Sequence, residues 1–353
     1  MFFEKNVKID GRTIFRDNIR YLGYSATAVS FSVKGTKAQV DFISDPEDFL
    51  MEQQAWVAVY INDGNEPSMR VALGEKEQKI TVFEAEKEET VTIKIMKYSE
   101  PEYAVCGIRG IEIEGELLAP PSKKDRQIQV IGDSITCGYG VEGSLEEMLH
   151  RTITENPTKA YAYLAAKELD AELEIVAWNG KGVITGYRDE GEEDTKDTSW
   201  LVPMLYEYTD AGLEKQYFGK EQQDWERWDP ENLVPDFIMV HLGTNDASYT
   251  LEKEDRNREY AEAYKAFLDT IHKKNPSAKI LCMLGMMDQK LCSTIEKTVE
   301  IYREENKDVE ISYLQLPLQL EEEGFGTFWH PTYETNIRAA KAVVDATKKM
   351  TGW

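Results

Sequence analysis

From Val7 to about residue 118 the chain alternates between apolar and polar positions. VKIDGRTIF, ATAVSFSVKG, AQVDFIS, QAWVAVYIND, QKITVFEAE, TVTIKIMKY and RGIEIEGELL are short β-rich runs bounded by Gly, Asp, Asn or charged turns. A period of two predicts strands with one face toward a core and the other toward water. Several such strands at fairly regular spacing predict a β-sandwich or jelly roll. Ala119-Pro120-Pro121-Ser122-Lys123-Lys124-Asp125 then breaks the pattern, and its prolines and charges predict a linker. Beyond it the period changes. RQIQVIG, LEIVAWNG, DFIMVHLG, KILCMLG and VEISYLQL are continuous apolar runs, the mark of strands buried on both faces of a parallel sheet.

Helical stripes separate these runs. Asn156-Pro157 predicts the cap of a helix with Tyr161, Leu164, Ala165 and Leu169 on one face. Tyr260, Tyr264, Phe267, Leu268 and Ile271 form a second stripe, and Ile337, Ala340 and Val344 a third. Alternating β and α predicts a three-layer α/β/α domain with a parallel sheet, whose ligands lie at the carboxyl ends of the strands. The expected division is a β-sandwich domain over residues 1–119, a linker over 120–126 and the α/β domain over 127–353. The charged stretch 188–197, RDEGEEDTKD, predicts a solvated loop.

Composition narrows the class. A length of 353 residues suits about two domains, and 41% apolar residues support sizeable cores. A formal charge of −24 argues against nucleic-acid or anionic-membrane partners, which require clustered Lys and Arg. No apolar run approaches the roughly 18 residues of a bilayer-spanning helix. The start, MFFEKNVKIDGR, shows no h-region, so no signal peptide and a cytoplasmic location are expected. Cys106, Cys137, Cys282 and Cys292 form no CxxC spacing and fit free thiols in a reducing compartment. No Cys, His and Asp cluster has metal-ligand spacing, so no metal and no cofactor is expected. Gly138-Tyr139-Gly140-Val141-Glu142-Gly143 formally matches GxGxxG. Ser134 and a helix start intervene after the strand, and no strand-ending acid follows about 20 positions on, so a dinucleotide loop is not expected.

Chemistry gathers at three strand ends. The first strand runs into Gly132-Asp133-Ser134-Ile135-Thr136, which places a serine at the sheet edge beside the backbone N–H groups of a helix start. LEIVAW ends in Asn179-Gly180-Lys181-Gly182, and DFIMVHL ends in Gly243-Thr244-Asn245-Asp246. An asparagine amide can donate to an oxyanion there, and a glycine lets a backbone N–H approach closely. Taken singly, each has an ordinary alternative: a serine N-cap, or turn residues satisfying their own backbone. A serine nucleophile needs a base, and the chain has four histidines. His241 lies inside an apolar strand, His272 near the end of an amphipathic helix, and His150 in the acid-rich SLEEMLHR segment, read as a solvated loop. His330, in Phe328-Trp329-His330-Pro331 after the last strand, returns to the carboxyl edge and is the base by elimination.

In this order, GDSIT, NGKG, GTND and WHP resemble the four blocks of the SGNH (GDSL-type) hydrolases. The resemblance extends upstream: a β domain containing GR and Lys97-Tyr98-Ser99-Glu100, a Pro-Pro linker and then GDSITCGYG look like carbohydrate esterase family two. That resemblance implies a jelly-roll domain before the hydrolase domain, and acetyl esterase activity on plant polysaccharides and their fragments. It implies Ser134 as nucleophile, His330 as base, and an oxyanion hole from the Ser134 and Gly180 N–H groups and the Asn245 side chain. Ser134 would attack the acetyl carbonyl, His330 would protonate the departing sugar hydroxyl, and water would release acetate.

The chain departs from the superfamily pattern at one point. Thr327 stands three residues before the histidine, where many SGNH enzymes carry Asp, and Phe328 is not acidic either. His330 is then oriented by a backbone carbonyl, as a Ser–His dyad, or by a carboxylate elsewhere, while Asp133 is expected to fix its own turn. Trp178, Trp329 and Tyr139 are candidates for stacking on a sugar, with burial in the core as the alternative for each. The expected substrate is an acetylated manno- or xylo-oligosaccharide inside a bacterium. Rival readings are an SGNH esterase or thioesterase on other acyl groups, and a carbohydrate-binding protein without activity. Oligomeric state is open.

Overall fold

A computed structural model of the chain describes residues 4–48, 50–147 and 149–353. The start of the β domain at residue 1 and Met148 of the SLEEMLHR segment lie outside the described residues. The amino-terminal strands are β1 (Lys8–Asp10), β2 (Thr13–Arg16), β3 (Ile19–Leu22), β4 (Ala28–Ile43), β5 (Trp56–Ile61), β6 (Met69–Ala72), β7 (Glu77–Lys97) and β8 (Cys106–Leu117). They form one antiparallel sheet in the order β2-β3-β8-β4-β7-β5-β6, with β1 on β4. The sandwich arises by curling of this single sheet around a core that includes Phe31, Val33, Val40, Phe42, Val59, Ile93 and Ile108.

Two long strands absorb four of the predicted runs. ATAVSFSVKG and AQVDFIS belong to the 16-residue β4, and QKITVFEAE and TVTIKIMKY to the 21-residue β7. Gly35 marks a β-bulge with a register shift, not a reversal, and a Cβ on it would lie 2.2 Å from the Glu114 carbonyl oxygen. At Glu84–Thr90 the β7 ribbon runs past the core, where exposed strand carries the polarity that sequence patterning associates with a turn.

Residues 118–125 are irregular, and β9 (Arg126–Asp133) opens the second domain. It continues with β10 (Ala171–Trp178), β11 (Phe237–His241), β12 (Lys279–Leu284) and β13 (Ile311–Gln315). The sheet is parallel throughout, in the order β10-β9-β11-β12-β13. Its helices are α1 (Ser134–Cys137), α2 (Tyr161–Glu168), α3 (Val202–Leu205), α4 (Thr244–Thr250), α5 (Glu254–Lys274), α6 (Cys292–Glu305) and α7 (Tyr333–Thr351). One sheet face presents Ile131, Val176, Val240 and Cys282 to the core shared with α5 and α6. The other presents Ile128, Val130, Met239 and Leu281 to α2 and α7. Burial on both faces is why these strands read as unbroken apolar runs.

Two helix details differ from expectation. Asn156 caps a short 3-10 turn, Pro157–Lys159, by accepting from the Thr158 N–H at 3.0 Å, and α2 begins only at Tyr161. On α7 the buried face runs through Ala339, Ala340, Val343 and Val344, leaving Ile337 46% exposed. Close packing of α2 on α7 favours the small side chains, and Asn336 at that contact accepts the Tyr161 N–H at 2.8 Å.

The domains are tied by a buried arginine of the β domain. Arg12 donates to the carbonyls of Tyr206 and Tyr208, each at 2.8 Å, and to Glu174 at 3.2 Å. The four cysteines are free and buried.

Candidate active site

In the parallel sheet the strand order reverses at β9, where one neighbour is reached forward to β10 and the other to β11. The crevice outside the carboxyl ends of such strands is where open α/β sheets bind ligands. Ser134 lies there as the first residue of α1. The Asp133 carboxylate accepts the Ile135 N–H at 3.0 Å, which sets the turn. Gly132 is required sterically: a Cβ there would lie 2.1 Å from Thr136 Oγ1.

His330 meets the serine. Its Nε2 lies 2.8 Å from Ser134 Oγ, and its Nδ1 lies 3.0 Å from the Thr327 carbonyl oxygen. With Nδ1–H donating to that carbonyl, Nε2 is left as the acceptor for the serine proton. Burial pushes the imidazole down to about 4, nearby His150 acts in the same sense, and the Thr327 carbonyl opposes them. The imidazole is therefore neutral at physiological pH.

The histidine loop is docked on the glycines that imitate a dinucleotide motif. Thr327 N–H donates to the Gly140 carbonyl at 3.1 Å, and Thr327 Oγ1 donates to Glu147 at 2.8 Å. A Cβ on Gly140 would lie 2.6 Å from Thr327 Cβ, and one on Gly143 would lie 1.9 Å from Thr327 Oγ1. These glycines serve close approach of two backbone segments. Phe328 and Trp329 complete the loop with positive φ, +49° and +65°.

Two more strand ends reach the same edge. Asn245, buried at the start of α4, donates through Nδ2 to the Lys181 carbonyl at 3.0 Å and to Asp133 Oδ2 at 3.3 Å. Gly180, with φ +68°, has no protein atom within 4 Å of where a Cβ would stand. Asp246 braces the following turn by accepting the N–H groups of Val183, Ile184 and Thr185 at 2.8–3.3 Å. Burial pushes the carboxyls of Asp133 to about 7 and of Asp246 to about 6.

Three sequence-derived assignments change. Trp178 is 2% exposed and stacks on Trp200 in the core, so it presents no face to a substrate; its position ends a strand whose side chains are enclosed by both layers. Tyr139 is also buried, wedged between His150 and His330 with centroids 3.7 and 4.5 Å away, and packs against the His330 ring. His150 is not solvated: it is 5% exposed and its Nε2 lies 2.9 Å from Glu155. The acidic residues around it in sequence point elsewhere, and the β domain closes over it. Trp329, by contrast, is 55% exposed beside His330. Tyr187 escaped the sequence reading. It is 57% exposed, and its N–H donates to the Gly180 carbonyl at 2.8 Å. An aromatic seven positions after the block glycine was the available signal.

A GDSL-like lipase/acylhydrolase family model matches residues 130–334, and a carbohydrate esterase 2 N-terminal model matches residues 9–121. The chain is 27% identical over 350 residues to the cellulase/esterase CelE of Acetivibrio thermocellus, covering 98% of this chain and 39% of that protein. It thus spans well under half the length of that relative. An acetylxylan esterase/glucomannan deacetylase of Cellvibrio japonicus is 27% identical over 286 residues, covering 80% of this chain and 72% of that protein. The structure of the acetyl xylan esterase Est2A from the rumen bacterium Butyrivibrio proteoclasticus superposes with a TM-score of 0.87 at 25% identity, over 100% of this chain and 97% of that one. With the serine, histidine, glycine and asparagine blocks at one sheet edge behind a curled β domain, the chain belongs to the GDSL-like lipase/acylhydrolase family and has the two-domain build of carbohydrate esterase family two.

Proposed function

We propose that this protein is a serine esterase that removes O-acetyl groups from hemicellulose-derived oligosaccharides, acetylated manno- or xylo-oligosaccharides. The observation that carries the reading is the 2.8 Å contact between His330 Nε2 and Ser134 Oγ, with Nδ1 held by a main-chain carbonyl. Ser134 Oγ attacks the acetyl carbonyl carbon while its proton passes to His330 Nε2. The oxyanion is met by the N–H groups of Ser134 and Gly180 and by the amide of Asn245, whose longer bond, 3.3 Å to Asp133, gives way to it. Collapse breaks the bond to the sugar oxygen, which takes the proton from His330 and leaves. Water then loses a proton to His330 and attacks the acetyl-serine, the C–Oγ bond breaks, and Ser134 Oγ takes the proton back from His330 as acetate leaves. Trp329 and Tyr187, exposed on the loops that carry the base and the oxyanion glycine, supply faces for a sugar ring. The family-two build and the names of the relatives support a carbohydrate acetate as the acyl donor.

A cytoplasmic location belongs to the same proposal, supported by four cysteines that are all free and buried. Acetate release from acetylated manno- and xylo-oligosaccharides, with wild type beside Ser134→Ala, tests the reading. Release by wild type alone supports it. Wild-type activity confined to longer acyl chains would replace it with a general SGNH esterase. Sugar binding without acetate release by either protein would replace it with a binding protein.

A further inference from the structure

The β domain reaches the oxyanion loop with a buried acid. Glu100 is fully buried, and its Oε2 accepts the Asn179 N–H at 2.6 Å, one residue before Gly180. The turn carrying Glu100 is itself held from two sides. Its own N–H donates to Glu155 at 2.8 Å. The buried Lys97 ammonium donates to the carbonyls of Gly23, Ser99 and Glu100 at 2.8, 2.7 and 2.9 Å. Glu155 continues to His150, His150 stacks on Tyr139, and Tyr139 packs against His330. One buried network therefore touches both the oxyanion loop and the base.

Two carboxyls and an ammonium in one buried seam are costly, and apolar side chains of similar volume would commonly hold two domains together as well or better. What the acid adds is direction. Gly180 has no side chain, a positive φ and open space where a Cβ would be, so no side chain of its own anchors its peptide plane. The plane just before it is fixed by Glu100. We propose that Glu100, supplied by the β domain, is a positioning residue for the Gly180 N–H of the oxyanion hole, so that the accessory domain completes the active site. The inference rests on the Ser134 esterase reading. Burial and the neighbouring Glu155 hold the Glu100 carboxyl well above the usual carboxylate range, and a glutamine keeps a side-chain carbonyl in place as acceptor for the Asn179 N–H.

The test uses the full chain with Glu100→Ala and Glu100→Gln. It compares kcat and KM for acetate release with the rate at which a small fluorophosphonate labels Ser134, followed by intact mass. In that reaction Ser134 Oγ displaces fluoride and the phosphoryl oxygen enters the oxyanion hole, so labelling needs no sugar. Glu100→Ala is expected to lower kcat and the labelling rate together, by about 10- to 100-fold, as a displaced donor does, with KM nearly unchanged. Glu100→Gln is expected to restore most of both. Where the alanine variant does not fold, Glu100→Asp retracts the acceptor by one methylene and takes its place. Wild-type rates per folded molecule in the alanine or aspartate variant would overturn the inference. So would a glutamine variant as slow as alanine. If wild type is labelled at Ser134 yet releases no acetate from sugars, the proposed substrate falls and the labelling comparison still decides the role of Glu100. If wild type is not labelled at all, Ser134 is not an activated nucleophile and both fall.

Discussion

His330 Nδ1 is held 3.0 Å from the main-chain carbonyl of Thr327, the residue standing where many SGNH enzymes carry aspartate. Because the partner is a carbonyl, the Thr327 side chain is free for another task and donates to Glu147 at 2.8 Å. Thr327→Ala keeps the carbonyl and removes that single bond, worth about 1 kcal/mol. Its kcat is expected to stay within roughly 10-fold of wild type, a span in which small shifts of the loop are felt. His330→Ala, which removes the proposed base, should lose roughly four orders of magnitude or more. Steady-state acetate release by both variants checks the contrast. A Thr327→Ala enzyme as dead as His330→Ala would show that the side chain, not the carbonyl, orients the base.

Gly140 gives a second handle on the same loop. It has φ +57°, and an added Cβ would stand 2.6 Å from Thr327 Cβ. Gly140→Ala therefore meets both backbone strain and a clash that pushes the histidine segment away from Ser134. A displacement on the order of 1 Å costs about 100-fold in turnover, and kcat should fall by that amount while the distant β-domain core is untouched. The expected signature is a large loss of kcat with circular dichroism like that of wild type.

How much of this was legible in sequence differs by residue. Ser134, Gly180, Asn245 and His330 each follow a strand end, and strands of a parallel sheet deliver their carboxyl ends to one edge, so their convergence follows from local patterning. Tyr139, Trp178 and His150 were not legible, because whether an aromatic or imidazole at such an edge faces solvent depends on what another segment lays over it. His150 is covered by Tyr103 of the β domain, 5.3 Å away between ring centroids and 47 residues distant in sequence. Glu100 lies 79 residues before Asn179, and its contact with the Asn179 N–H exists only through domain docking. In the β domain, the charge-rich middle of β7 read as a turn because a strand that leaves the core loses the alternation that identifies strands.

Two buried groups, His330 and Asp210, set opposite pH dependences for stability. Burial holds His330 at about 4, below its ordinary value, so the base is neutral from about pH 5 upward, and the acid limb of kcat/KM should lie near pH 4. For stability, an imidazole held low binds fewer protons folded than unfolded, so it weakens the fold as pH drops from about 6.5 toward 4. Asp210 acts the other way. Burial raises its carboxyl to about 6, so the folded state binds more protons than the unfolded one between about 4 and 6, and stability is lost as pH rises through that window. Asp210→Asn retains an acceptor for the Leu213 N–H, which now lies 3.0 Å from Oδ1. The Tm difference between variant and wild type should therefore shift in favour of the variant from pH 4 to pH 8. Thermal melts at both pH values measure it, and a difference independent of pH would refute the assignment.

Tyr187 allows the proposed sugar recognition to be tested apart from the chemistry. Its side chain is exposed, while its main chain, through the N–H donated to the Gly180 carbonyl at 2.8 Å, braces the oxyanion loop. Tyr187→Ala keeps that N–H and removes only the ring, a surface truncation that usually changes stability by less than about 0.5 kcal/mol. An aromatic face on a sugar is worth on the order of 1 kcal/mol beyond simple burial, and about 1.4 kcal/mol is tenfold in affinity. KM for an acetylated oligosaccharide is thus expected to rise roughly fivefold. A small aryl acetate, which has no sugar to stack, should be hydrolysed at the wild-type rate. The ratio of the two substrates in one preparation cancels errors in active-enzyme concentration. An equal loss on both would mean that the ring shapes the oxyanion loop, and an unchanged ratio with full activity would remove Tyr187 from the sugar site and leave Trp329 as the exposed aromatic beside the base.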